Sequence, residues 1–194
     1  MNDLHAYMKE CATEAARVAR GVDRERLAGP TPCAEFDLRA LVNHWVVFTS
    51  HGLERRALRE QLPEQLIERD FTADPAWAEE YAAQLDRAVA AWADPAVWEG
   101  EIDLGSAASP ASEVASLLIL ETALHGFDVA AATGQEFGVS AEAGEFLLGV
   151  VEEQAELYRQ YDGFADPVPV DADAPAFRRA VALSGRDPGW TPPA

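Results

Sequence analysis

The stretch from Val114 to Ala132 constrains this chain more than any other. Its only ionisable side chains are Glu121, His125 and Asp128. A helix apolar nearly all round is a buried one. At roughly 100° per residue, the three polar side chains fall within about 60° of arc, shared with Val114 and bordered by Leu118. Burying an unpaired carboxylate costs several kcal/mol, so Glu121 and Asp128 require partners from elsewhere in the core.

A second segment offers one. His44 stands among Leu41, Val42, Trp45, Val47 and Phe48, and His51 follows seven residues later, on the same face of a regular helix. A Glu and a His at i and i+4 project side by side. A His from a facing helix completes a two-His, one-carboxylate set, the way helical bundles build metal sites. Three protein ligands leave one position for water or substrate, as in a catalytic rather than a structural zinc site. The same spacing also suits a metal-free network in which a buried His–Glu hydrogen bond satisfies both groups. Spacing alone leaves both readings open.

Helical punctuation organises the rest. A first helix is expected from about Asp3 to Arg20, and a second from its cap at Asp37 to about Arg59. Asp74-Pro75 opens a third that ends near Ala93, and Ser109-Pro110 opens the apolar fourth, closed by Gly134. A fifth spans about Ser140 to Tyr161, and a short one Asp173 to Leu183. Trp98, Gly100, Ile102 and Leu104 alternate with acidic residues, the period of one half-buried strand. Pro167–Val170 could lie only on a sheet edge. The expectation is an all-α helical bundle with an extra helix and a small β addition. It forms a single domain over 1–194, with a loose tail over 186–194.

Composition narrows the partners. The chain has 34 acidic against 15 basic residues, a net charge of −19, which argues against nucleic acid and against an anionic membrane surface. No unbroken apolar run approaches the ~18 residues of a membrane span. The N-terminus shows no signal-peptide pattern. Cys11 and Cys33 form no CxxC pair and suit a reducing compartment, so a cytoplasmic location is expected. There is no HExxH, no phosphate-binding glycine loop and no Gly-x-Ser-x-Gly turn. Glu152-Glu153 reads as a wet helix face.

Three segments together resemble a known family. Thr31-Pro32-Cys33-Ala34-Glu35-Phe36-Asp37-Leu38-Arg39-Ala40-Leu41-Val42-Asn43-His44 resembles the TPC-x-x-[WF]-D-[VL]-R-x-L-x-x-H motif of the mycothiol-dependent maleylpyruvate isomerase-like proteins, in the DinB-like superfamily. Glu121 to Gln135, which carries His125-Gly126-Phe127-Asp128, resembles the E-x-x-x-H-G-[WF]-D helix of the same family. Phe164 to Val170, leading to Leu183-Ser184-Gly185-Arg186-Asp187-Pro188, is similar to a shorter branch. Two departures stand out. Glu35-Phe36 replaces the usual Gly-Trp, and a short tail stands where the isomerase has a C-terminal domain.

The resemblance implies a DinB-like four-helix bundle and a divalent metal held by His44, Glu121 and His125. Zinc is expected first, and two His with one Glu also suit nickel or iron. It further implies mycothiol or another small thiol as cofactor or co-substrate. The function expected is a thiol-dependent isomerase or S-transferase acting on a small electrophilic metabolite. The alternative is a non-catalytic or stress-related metal-binding protein. Asp128 is expected either to orient His44, to accept a proton, or to make a structural hydrogen bond. Arg186 is expected to bind a substrate carboxylate through its guanidinium fork, or else to form a surface salt bridge. His51 is a candidate for cofactor binding, with a structural role as its alternative. A homodimer through exposed helix faces is the default oligomer.

Overall fold

The computed structural model describes residues 3–105 and 107–193. Its elements in chain order are α1 (Asp3–Arg20), α2 (Leu38–Val46), a π-helical segment (Val47–Gly52), α3 (Leu53–Ala57), α4 (Glu64–Ile67), α5 (Trp77–Ala91), β1 (Glu101–Asp103), β2 (Ala108–Pro110), α6 (Ala111–Thr133), α7 (Ala141–Gln160) and α8 (Ala176–Leu183). α1 packs on α5 and α6, while the rod formed by α2, the π segment and α3 packs on α5 and α6 from the other side. These four rods make the bundle. α7 leans on α6 from outside and carries α8 on its own outer face.

Local chemistry explains the helix starts. The Asp37 carboxylate accepts the Ala40 N–H at 2.8 Å, and Ser140 Oγ accepts the Ala143 N–H at 3.2 Å. Asp74 accepts the Ala76 N–H at 2.8 Å, but this forms a turn, and α5 begins two residues later than a capped helix would. Ser109 does not cap α6. It pairs with Ile102 in a two-stranded antiparallel hairpin, so the single expected strand has a partner. Pro167–Val170 forms no strand among the described residues, although the Val168 N–H donates to the Ala182 carbonyl at 3.0 Å.

The second rod departs from a regular helix three residues after His44. Thr49 and Ser50 hydroxyls donate to the Trp45 and Val46 carbonyls, both at 2.6 Å. Such back-bonding competes with the helical ladder, and the turn widens there into the π segment. A wider turn holds more residues, so everything after it is rotated relative to an α-helical count. Thr49 also shares a 2.6 Å hydrogen bond with the buried Tyr81 hydroxyl, which ties the widened turn to α5.

α6 is long and apolar enough to cross a membrane by length and composition alone. Its isolated polar residues interrupt any unbroken run without lowering its average much. Yet 67% of its most apolar window is buried in this bundle, as befits a central core helix. Gly126 lets the loop after α6 close over that helix, because a Cβ there would fall 2.2 Å from the Phe137 ring.

Candidate metal centre

Helix register brings the site together. The Trp45 indole N–H donates to the Thr122 carbonyl at 3.2 Å, fastening α2 to α6 one residue beyond His44 and Glu121. Consequently His44 Nε2 lies 2.8 Å from Glu121 Oε1, and His125 Nε2 lies 3.3 Å from the same oxygen. The three donor atoms sit within 4.8 Å of one another, and the two imidazoles meet nearly at right angles, 79°, with centroids 4.9 Å apart. Around a tetrahedral ion with bonds of about 2.0–2.1 Å, donor atoms stand roughly 3.3 Å apart. Two of these separations are already close to that spacing. A divalent cation therefore fits this donor set with small side-chain adjustments.

One side of the cluster is open. His44 and Glu121 keep 27% and 31% of their side-chain surface, whereas His125 keeps 9%. The opening is flanked by aromatics. Phe36 and Phe48 lie 5.2 and 4.6 Å from the His44 ring, and Phe36 lies 6.4 Å from His125. Tyr158, on α7, stacks on Phe164 at 4.7 Å, and burial together with the Glu121 charge pushes its phenol up. Its hydroxyl therefore stays a donor. Sequence reasoning missed Tyr158 because no local pattern ties it to α6. Phe48, four residues past His44, was available from i, i+4 spacing.

Behind the cluster lies a buried relay. His125 Nδ1 is 3.1 Å from Asp128 Oδ2, and Arg186 Nε lies 3.0 Å from both Asp128 oxygens. Arg186 also donates through Nη1 to Ser184 Oγ at 3.2 Å. Asp128 thus holds His125, not His44: three residues on in an α-helix it sits beside the His125 ring, while His44 approaches from α2 on the other side of Glu121. Arg186 is 8% exposed, with its guanidinium directed at Asp128, so it is neither a surface ion pair nor presented at the opening. Gly185, at φ 86°, makes that placement. The turn sends the Arg186 N–H back to the Val181 carbonyl, and a Cβ at 185 would lie 2.6 Å from that of Ala165. The segment after Arg186 is also engaged, since Trp190 packs against the core.

Both ring nitrogens of His125 face carboxylates, which can only accept. Burial opposes a charge on the ring. The Glu121 carboxylate and the hydrogen bonds to Asp128 and Glu121 outweigh it and raise His125 to about 9. Glu121 itself is opposed by burial and held well below the usual carboxylate range by the two histidines, His125 foremost. Without an ion, an imidazolium occupies the proton side of this cluster.

A second trio, Cys33, His125 and Asp128, also brings three donors within 4.8 Å of one another. It suits a cation less well. Burial and the nearby Asp128 charge push the Cys33 thiol up, and Asp128 is already committed to Arg186. Both cysteines are free thiols.

His51 does not join the cluster. It stacks on Phe71, with centroids 5.5 Å apart, and lines a separate cavity against α5. The π segment is the reason: it breaks the seven-residue spacing that would have kept His51 under His44.

Residues 8–130 match the family model described as the mycothiol maleylpyruvate isomerase N-terminal domain. No curated protein and no solved structure gives a match. The matched stretch contains His44, Glu121, His125 and Asp128, whereas Arg186 lies beyond it.

Proposed function

The chain belongs to the DinB-like family of the mycothiol maleylpyruvate isomerase N-terminal domain, and on that premise we propose that it is a divalent-metal enzyme, zinc first, that works with a small thiol on an electrophilic metabolite. One observation carries the reading: two imidazole nitrogens converge on one carboxylate oxygen at 2.8 and 3.3 Å, in a cluster open on one side. His44, Glu121 and His125 would hold the ion. Bound there, a divalent cation would favour the thiolate of a small thiol entering at the opening.

The chain's own groups do the rest. Asp128 accepts the Nδ1 proton of His125 and so directs Nε2 toward the cluster, the outer-shell arrangement that orients metal-binding histidines. Arg186 pairs with Asp128 and holds that carboxylate in place behind the histidine. Phe36 and Phe48 limit water at the opening, and the Tyr158 phenol, which feels the Glu121 charge, stays protonated. Reversible thiol addition to a double bond, giving cis–trans isomerisation, and S-transfer to a carbon bearing a leaving group share the same thiolate.

A non-catalytic metal-binding role is the second reading. The cluster's complete internal hydrogen bonding favours a third, in which the three side chains form a metal-free polar core. Elemental analysis of protein purified without chelator or nickel resin separates the last from the others. We expect about one divalent ion per chain, in keeping with a single three-ligand site, and its loss in His44→Ala and His125→Ala. No ion in wild type, or an unchanged content in both variants, overturns the assignment. Thiol-dependent bands in a cobalt-substituted sample favour the enzyme reading, and their absence with every physiological thiol favours the non-catalytic one.

A further inference from the structure

On the far side of the second rod, a cavity of about 310 Å³ lies between the π segment and α5. Its wall includes His51, Arg69, Phe71, Trp77 and Arg87, together with one carboxylate, Glu80, which Arg69 faces. In a chain with more than two acidic residues for every basic one, this wall is rich in donors.

Two of the donors are uncommitted, and the two arginines keep N–H groups beyond their one polar partner each. Trp77 is 4% exposed, yet its indole N–H has no acceptor among the described residues. Among the described residues every fully enclosed side-chain polar atom has a partner, so this N–H keeps some accessible surface, and Trp77 lines the cavity. His51 makes its ring contact with Phe71 and, among the described residues, no hydrogen bond through either nitrogen. Arg69 stacks over the same Phe71 ring at 4.7 Å and reaches Glu80 only at 3.5 Å. Arg87 bonds the side-chain carbonyl of Gln84, and no carboxylate among the described residues lies within 4.0 Å of it. The nearby charges are otherwise accounted for. Glu54 accepts from Gln84, and Arg55 pairs with Glu60.

We propose that this cavity is a second ligand site, which takes a small organic oxyanion, a carboxylate or a phosphate monoester. Two exposed guanidiniums, an imidazole and an indole from the π segment, the loop after α4, and α5 line it, and these donors outnumber the one lining carboxylate, Glu80. Guanidinium forks suit both oxyanions, and charge-assisted bonds are the strong ones. Phe71, Trp77 and Tyr81 supply an apolar wall for the body of the ligand. The volume lies at the low end of small-molecule pockets, roughly 300–1,000 Å³, which suits a compact metabolite rather than a nucleotide cofactor. None of this depends on the metal reading.

The test uses the full chain, with inorganic phosphate and succinate as probes at constant ionic strength and chloride as the reference anion. Calorimetry should show saturable binding of at least one probe beyond chloride. Phosphate winning points to a phosphate monoester, and succinate winning to a carboxylate. Arg87→Gln and His51→Gln should each weaken binding by about tenfold or more, the loss of one charge-assisted hydrogen bond. Circular dichroism and metal content should match wild type in both variants. The Trp77 indole N–H resonance, assigned with Trp77→Phe, should shift on binding. Absence of saturable binding by either probe, equal affinity in both variants, or binding that leaves the Trp77 resonance in place overturns the proposal.

Discussion

Raising the pH of the ion-free protein should reveal the charge on His125. The folded protein holds a proton on this ring up to about 9, whereas a histidine of ordinary environment releases it near 6.5. Between those values the folded state binds a proton that the unfolded state does not, so stability must fall as pH rises, by about 1.4 kcal/mol per pH unit. The contribution is complete below 6.5 and gone above about 9. Over that span the interval is worth about 3 kcal/mol. The part-exposed Glu121 trims this by solvent screening to ~2–3 kcal/mol. Few buried groups confuse the window, because burial pushes Cys11 up to about 12 and Tyr81 higher still, so both stay neutral. Urea midpoints of chelator-treated protein from pH 6 to 10 measure the effect, and an NMR titration of the His125 ring locates it. His125→Gln should flatten the profile. A wild-type midpoint constant from pH 7 to 10, or a His125 ring that titrates below 7, refutes the assignment of an imidazolium between two carboxylates.

Three further outcomes follow from named contacts. Glu121→Gln keeps an oxygen for the two histidines but removes the negative charge. It should lose metal while folding, become insensitive to chelator in thermal unfolding, and cost the ion-free protein near pH 6.5 much of the ~2–3 kcal/mol held by the His125 proton. Arg186→Met leaves Asp128, 0% exposed, without its cation, which should cost about 3–5 kcal/mol in urea unfolding. Adding Asp128→Asn in the same chain should return much of that loss, which a purely steric role for Arg186 would not allow. Gly126→Ala would drive a methyl into the Phe137 ring, and a loss of about 1–3 kcal/mol in thermal or urea unfolding is expected.

Much of the architecture was legible because helices are local objects. Asp37 and Ser140 announce their helices through their own side chains, and the long apolar α6 declares itself a core element by composition. The candidate ligands were legible for a different reason. A carboxylate and a histidine stranded on a buried helix oblige the rest of the core to supply partners, and His44 was the histidine embedded in another apolar helix. Chain distance did not hide it, although Glu121 is 77 positions away, because the energetic penalty of an unpaired buried charge acts regardless of separation.

Other features had no such local signature. That Asp128 would hold His125 and be held by Arg186 depended on where the turn at Gly185 delivers a side chain 58 positions away. The rotation of His51 out of line depended on Thr49 and Ser50 hydroxyls drawing on helix carbonyls, with Thr49 also held by Tyr81 across the bundle. The pairing of Ser109 with Ile102 likewise displaced a plausible helix cap. Residue type and periodicity decide which side chains must find partners, since burial and helix geometry are set within a few turns. Which partner each one finds, and which way a side chain faces beyond a distorted turn, is decided when distant segments pack, because hydrogen bonds and ion pairs act only over a few ångströms and only the folded chain brings those groups within reach.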